Sequence, residues 1–423
     1  MHTFIKNLLN GQAVEWRALG EVCEFSNTGV DKKIKSDEQK VRLLNFVDVF
    51  KNQYLTNETP TMVVTASDKK ILSCNILKGD VFITPSSEII GEIGQSAVVI
   101  EDIENAVYSY HIMRLRIYDK TVLMPEFLNY LFQAEFLKRQ IKLNAQGITR
   151  FGLTQPKWKS LQIPIPPLSV QSQIVQILDT FTELTAELTA ELTAELSMRR
   201  KQYQYYRDFL LSEHELAKVG FEWKSLGEVG ELVRGNGLTK KDLTDDGVPA
   251  IHYGQIYTRY GLSTEKTLSF VSTELAKRLR KVDTGDVVIT NTSENLADVG
   301  KSLVYLGKEQ AVTGGHATIF KPNKQIILGK YFAYFTQTDN FATQKRKYAK
   351  GTKVIDVSTN DMAKLKIPIP PLSVQSQIVA ILDTFDTLVN SISEGLPKEI
   401  QLRQKQYEYY RERLLTFDAG VAS

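Results

Sequence analysis

Two short basic stretches at matched places in the chain carry the residues best suited to chemistry, and that chemistry is contact with phosphate. Lys138, Arg139, Lys142 and Arg150 surround Gln146-Gly147, and Lys345, Arg346, Lys347, Lys350 and Lys353 surround Gly351. Lysine and arginine neutralise backbone phosphates and displace counterions, so two such stretches fit two nucleic-acid-contacting faces. Two polar loops follow strand-like runs, Pro85-Ser86-Ser87-Glu88 and Asn291-Thr292-Ser293-Glu294. Their hydroxyl and amide groups suit the edges of bases, which makes Ser86, Ser87, Asn291, Thr292 and Ser293 candidate DNA-binding residues. Each side chain alone would serve equally well in a solvated loop; the weight lies in the pattern occurring twice.

Catalytic constellations are not legible. Gly300-Lys301-Ser302 ends like a phosphate-binding loop, but Asn295 stands where its first glycine is required. His214-Glu215 meets Lys218 where a zinc-protease helix needs its second histidine. Asp208, Glu222 and Lys224 have a faint nuclease-like spacing, yet Glu222-Trp223-Lys224 repeats Glu15-Trp16-Arg17 and reads as structure. Pro-Pro-Leu-Ser is not an amino-methyltransferase motif, and no glycine-rich loop suits a methyl donor. Five histidines, two cysteines and no clustered carboxylates argue against a metal enzyme. Cys23 and Cys74 have neither metal nor disulfide spacing and are expected as buried small hydrophobes in a reducing cytoplasm.

The elements that must position the basic and polar groups are built twice. Ile163–Phe181 (IPIPPLSVQSQIVQILDTF) recurs at Ile367–Phe385 with 18 of 19 positions identical, Gln176 against Ala380 being the difference. Such a repeat has to be read before anything else. The segment Glu15-Trp16-Arg17-Ala18-Leu19-Gly20-Glu21-Val22 is echoed by Glu222-Trp223-Lys224-Ser225-Leu226-Gly227-Glu228-Val229, and each opens a variable region. Apolar runs at 41–49, 80–84 and 96–100, matched by 248–257, 286–290 and 302–306, predict strands in both regions. Elsewhere the two regions share little identity, as modules that read different things would.

Each variable region ends in a proline hinge, which forces an extended path. Ser169 then suits an N-cap. No proline or glycine follows until after Leu211, and apolar residues fall at Ile174, Ile177, Leu178, Phe181 and Leu184. That spacing predicts a helix of 43 residues, about 64 Å long. The second copy, 373–415, has the same length but carries Gly395 and Pro397, where a break is expected. Neither arm is apolar all round, so the two are expected to pack together, antiparallel. The tyrosine-rich tails 201–207 and 405–411 also repeat, with core packing the favoured role. Only the first arm contains three tandem Thr-Ala-Glu-Leu units, 185–196, marked by Thr185, Leu188, Thr189, Leu192, Thr193 and Leu196. One unit changes a helix by about 6 Å and about 40°. A DNA base pair spans about 3.4 Å and roughly 35°. The block reads equally as a spacer or as a slippage-prone solvated helix.

The duplicated 163–181 and 367–385 segments, the tyrosine tails and the tetrapeptide block resemble the specificity subunit of type I restriction–modification systems, in its EcoR124-like branch. The resemblance spans essentially the whole chain. It implies an α+β protein of two similar mixed target recognition domains, 1–155 and 212–362. Two hinge-and-spacer helices, 156–211 and 363–423, would form an antiparallel coiled coil with pseudo-two-fold character. It further implies a non-catalytic subunit that binds a bipartite, asymmetric site in double-stranded DNA. Two methyltransferase subunits would dock on its helices, and restriction subunits would join later. No cofactor is expected on this chain; S-adenosylmethionine belongs to the methyltransferase partner, and ATP and Mg to the restriction partner. The composition agrees: 42% apolar, 24% charged and a formal charge of +3 are ordinary for a globular protein. The N-terminus lacks a signal-peptide core, and no apolar run is long enough for a membrane span, so a cytoplasmic protein is expected. The alternatives are a self-contained DNA-cleaving or DNA-modifying enzyme with two recognition modules, and a scaffold that binds no DNA.

Overall fold

The computed structural model describes residues 3–391 and 394–418. They fall into two compact units, one of residues 1–188 with 403–423, the other of residues 189–402. Each unit therefore holds one variable region, the beginning of the arm that leaves it, and the end of the other arm.

In the first unit a five-stranded sheet has the order Cys23–Ser26, Met113–Ile117, Asp80–Ile83, Ser96–Val99, Tyr54–Leu55. A second sheet orders Met62–Ala66, Gln39–Leu44 and Ala106–Tyr108. The second unit repeats the plan. Its five strands are Gly230–Arg234, Ala317–Pro322, Val287–Thr290, Ser302–Tyr305 and Ser263–Thr264, and its other sheet gains the extra strand Arg280–Val282. The central strands 80–83 and 287–290 are buried on both faces, which is why they read as continuous apolar runs.

Two expected strands are shorter than their apolar runs. Gln39–Leu44 stops at Asn45, whose side chain accepts from Val47 N and caps the helix Phe46–Lys51. Val248–Ile251 stops at His252, which caps Tyr253–Thr258 in the same way. A capping residue inside an apolar run converts its second half to helix.

The proline hinge is a strand. Gln162–Ile165 pairs antiparallel with Glu15–Ala18, setting Trp16 opposite Pro164; Lys366–Ile369 pairs with Glu222–Ser225, setting Trp223 opposite Pro368. Each of these sheets has only two strands, so a proline's missing N–H can face away from the ladder. The two repeated signatures of the sequence are thus partners, closing each domain where its arm leaves.

The first arm is one helix, Leu168–Leu210. It starts one residue before Ser169, with Pro167 O accepting from Gln171 N at 3.0 Å, so Ser169 lies in the first turn and is not the cap. The second arm is interrupted, Leu372–Asn390 and Gly395–Leu415. Gly395 has φ +74°, and Pro397 falls in the first turn of the new helix, where its missing N–H costs nothing. Within each unit the two arm segments run antiparallel. Thr182 Oγ1 bonds Tyr407 Oη at 2.8 Å and Phe181 packs on Tyr410, while Tyr206 stacks on Phe385 at 5.3 Å. Tyr203 is buried, whereas Tyr205 and Tyr409 are exposed, so the tails divide between core and surface. The leucines of the tetrapeptide block turn inward along the helix. Leu184 is exposed, Leu188 and Leu192 are half-buried and Leu196 is buried, as a repeat of four drifting about 40° per unit requires.

One buried glutamine joins each arm to its domain. Gln171 Nε2 donates to Val122 O and Pro166 O, both at 2.8 Å, and Oε1 accepts from Met124 N at 2.8 Å. Gln375 repeats the network on Ile326 O, Pro370 O and Leu328 N, each at 2.9 Å. Eight residues further along, Asp179 accepts from Tyr54 and Tyr130, and Asp383 from Tyr334 and Lys330. Burial, with the adjacent carboxylate second to it, pushes the Tyr54, Tyr130 and Tyr334 hydroxyls far above their usual range.

Candidate nucleic-acid interface

The structure brings the polar loops and the basic loops together. Ser86–Ser87 pairs antiparallel with Phe151–Gly152, and Thr292–Ser293 with Ile355–Asp356. Each ribbon continues into a tight loop, 146–150 or 350–354, whose residues are all exposed. The loops close by reciprocal backbone bonds, Gln146 with Gly152 at 2.9 Å each way and Lys350 with Asp356 at 2.9 and 2.8 Å. Gly147 (φ +136°) and Gly351 (φ +104°) are obligatory there, because an added Cβ would stand 1.9 Å from Arg150 O or 2.0 Å from Val354 O. Ile148, 93% exposed, marks one tip.

The basic candidates separate by environment. Arg139, Lys142 and Arg150, and Arg346, Lys347, Lys350 and Lys353, are exposed. Arg150 donates from Nε to Ser86 Oγ at 3.0 Å, tying loop to ribbon. Lys138 is half-buried on the face of Glu135–Asn144 that meets the tail, and burial with the neighbouring Arg411 lowers its ammonium pKa. Lys345 is a correction. It is buried, donates to Ala297 O and Val299 O, and its ammonium is lowered by burial to about 8. A side chain held inside by two carbonyls is not a phosphate contact; the equivalent place in the first domain is taken by buried Ile141.

The polar candidates need the same sorting. Asn291 is fully buried, donating to Val357 O at 2.9 Å and accepting from Thr318 Oγ1 at 2.8 Å. Ser87 is buried and donates to Glu92 Oε2 at 2.6 Å. Thr292 is buried against His316 Nδ1 at 2.9 Å. These three hold the ribbons in place and are corrected from base contacts to supports. Ser86 and Ser293 remain at the surface margin.

Sequence reasoning missed the aromatic and imidazole groups beside the ribbons. In the first domain an open cleft of about 380 Å³ is lined by Phe46, Ser87, Glu88, Ile89, Glu92, His111 and Arg150. In the second, Tyr253 lies between His252 and His316, at ring separations of 4.6 and 4.8 Å, and Tyr257 donates to Thr292 O. Burial, with His316 and Lys240 nearby, lowers the His252 pKa. The capping residues Asn45 and His252 were the legible signal: each places an aromatic residue first in a short helix. A larger open cleft of about 990 Å³ in the second unit is bordered by Arg207, Arg259, Lys301 and Arg346. Among the described residues no group of His, Cys, Asp and Glu could hold a metal ion, and no helix is long and apolar enough to cross a membrane. Cys23 and Cys74 are buried free thiols, and burial pushes the Cys23 thiol up to about 12.

Residues 12–198 and 218–402 each match the family model described as type I restriction modification DNA specificity domain. The chain is 32% identical over 433 residues to a Haemophilus influenzae protein described as a putative type I restriction enzyme specificity subunit, covering 98% of each. It is 30% identical over 436 residues to the EcoR124I/EcoR124II specificity subunit of Escherichia coli, covering 98% of this chain and 97% of that one. The fold resembles a chain in a structure concerned with assembly and conformational transition of the type I R-M system, at a TM-score of 0.67, 19% identity and coverage of 96% and 99%. It also resembles an HsdS subunit from Thermoanaerobacter tengcongensis, at a TM-score of 0.56, 18% identity and 96% coverage of each chain.

Proposed function

Because this chain belongs to the type I restriction-modification DNA specificity family, we propose that it is the subunit that gives such an enzyme its DNA sequence specificity. The observation that carries this reading is the same recognition fold occurring twice, each time presenting a ribbon loop of exposed cations. Each domain, near 1–155 and 212–362, reads one half of a bipartite asymmetric site in double-stranded DNA. Arg139, Lys142 and Arg150 in one domain, and Arg346, Lys347, Lys350 and Lys353 in the other, set the register on phosphates. Side chains beside the ribbons, Ser86 and Ser293 among them, meet base edges.

The chemistry belongs to partner subunits. Two methyltransferase subunits carrying S-adenosylmethionine dock on the arms, and restriction subunits with ATP and Mg complete the enzyme. The near-identity of 163–181 and 367–385 fits two equivalent docking surfaces for one kind of partner. The block Thr185–Leu196 acts as a spacer, lying where the first arm passes from one compact unit to the other. Deleting Thr189–Leu192 shortens that arm by about 6 Å and turns its far end by about 40°. Methylome sequencing of a host carrying the deleted chain with its partner subunits should find a shorter nonspecific gap between unchanged half-sites. An unchanged gap would sink the spacer role, and methylation by the purified chain alone would sink its non-catalytic role.

A further inference from the structure

We propose that His111 and His316 are equivalent base-contacting residues, one for each half-site, each donating a ring N–H to the N7 acceptor of a purine in the major groove. The proposal rests on the DNA-reading role above and names side chains that carry part of it.

The equivalence comes from strand register. Thr84 and Thr290 occupy the same place in the two domains: their hydroxyls donate to Glu92 O at 2.7 Å and Asp298 O at 2.9 Å. Their amides donate to Gln95 O and Lys301 O, both at 2.9 Å, and their carbonyls accept from Gly94 N and Gly300 N, again at 2.9 Å. Thr290 pairs with Ala317, and Ile83 pairs with Met113, so one further step sets Ile112 opposite Thr84. His111 and His316 each immediately precede that partner residue. Two of the chain's five histidines thus stand at one structural position in domains that otherwise share little sequence.

Both lie beside the ribbon that carries the exposed cations. His316 is bonded through Nδ1 to Thr292 Oγ1 at 2.9 Å, and its ring lies 4.8 Å from that of Tyr253 at 38°. Arg234 stands next to it, donating to Gly315 O at 3.0 Å. His111 shares its cleft with Ser87, Phe46 and Arg150, and its ring lies 4.0 Å from that of Tyr110. Phe46 and Tyr253 are themselves equivalent, each first in the short helix after its capping residue.

His316 is exposed and His111 half-exposed, so neither ring contributes much to a core. A surface imidazole held by a hydrogen bond and an aromatic neighbour is ordered without stabilising the fold greatly. For His316 the bond at Nδ1 is compatible with the donor role proposed. When the Thr292 hydroxyl donates to Nδ1, the ring proton resides on Nε2, on the other edge. That edge is a single donor, which matches the N7 acceptor that both purines present in the major groove. In the first domain Glu88 and Glu92 line the same cleft, and carboxylates there suit the exocyclic amino group of a neighbouring cytosine.

The experiment uses the full chain assembled with its methyltransferase partner, assayed for methylation on a library of bipartite sites. His316→Ala should lower discrimination at one base pair of the half-site read by the second domain, roughly 2- to 10-fold, leaving the other half-site and the gap unchanged. His111→Ala should do the same in the other half-site. Replacing the affected purine by its 7-deaza analogue should reproduce the loss with the wild-type chain and add nothing with the variant. Unchanged base preferences in either alanine variant would overturn the proposal, as would equal losses in both half-sites. A wild-type complex that methylates no bipartite site would instead overturn the function on which the proposal rests.

Discussion

Replacing Gln375 by leucine should loosen the joint between the second domain and its arm. The side chain is fully buried and satisfies three backbone groups, Ile326 O, Pro370 O and Leu328 N. Leucine fills similar space but leaves all three unpaired, at about 1–3 kcal/mol each. The added apolar burial returns about 1–2 kcal/mol, so the net cost is about 1–8 kcal/mol and centres near 4–5 kcal/mol. Leu328 precedes the helix Gly329–Phe335 and has no side-chain cap, so the damage should centre there. Hydrogen exchange of peptides spanning 326–335 and 366–380 reads the local opening free energy. The central value speeds exchange by about three orders of magnitude where opening is local. Gln171→Leu should produce a matching change over 122–131, because its network has the same three kinds of partner within 0.1 Å. Less than a tenfold change in either variant, or a large change in only one, would refute the assignment of these glutamines as equivalent joints.

Two further outcomes follow from single side chains. Lys345 holds its ammonium near 8 when folded, against an ordinary value of 10.5. Between those two values the folded form sheds a proton that the unfolded chain keeps, so its contribution to stability rises with pH there and is at its lowest below about 8. The unfolding free energy of the wild-type chain relative to Lys345→Met, read from urea titrations, should therefore climb from pH 8 to 10, by about 3 kcal/mol at most; a flat difference would count against the buried ammonium. Gly351→Ala forces a Cβ to within 2.0 Å of Val354 O and should rearrange the exposed loop. DNA binding by the assembled complex should weaken while the urea midpoint moves little, whereas Gly91→Ala, which meets nothing within 4 Å, should change neither.

Much of this architecture is legible in residue order because it depends on local physics. The duplication, the arm lengths and the interruption near Gly395 follow from repetition, from runs without proline or glycine, and from the places where glycine and proline break a helix. The strand-to-helix switches at Asn45 and His252 were legible only as caps, which the apolar runs masked. Function at the level of the family was legible too, because the repeats that carry it are nearly identical in the two halves.

Tertiary structure alone decided which candidate side chains face outward. Ser86 and Ser87 are neighbours of one type, yet one binds the exposed Arg150 and the other is buried against Glu92. Lys345 and Arg346 are adjacent cations, yet one points into the domain and the other into solvent. Side chains of consecutive residues take different faces, and which face is buried depends on partners far away in the chain. For the same reason the matched signatures at Trp16 and Pro164 could be seen to repeat but not to pair. His111 and His316 became equivalent only once long-range strand pairing set the register that places them.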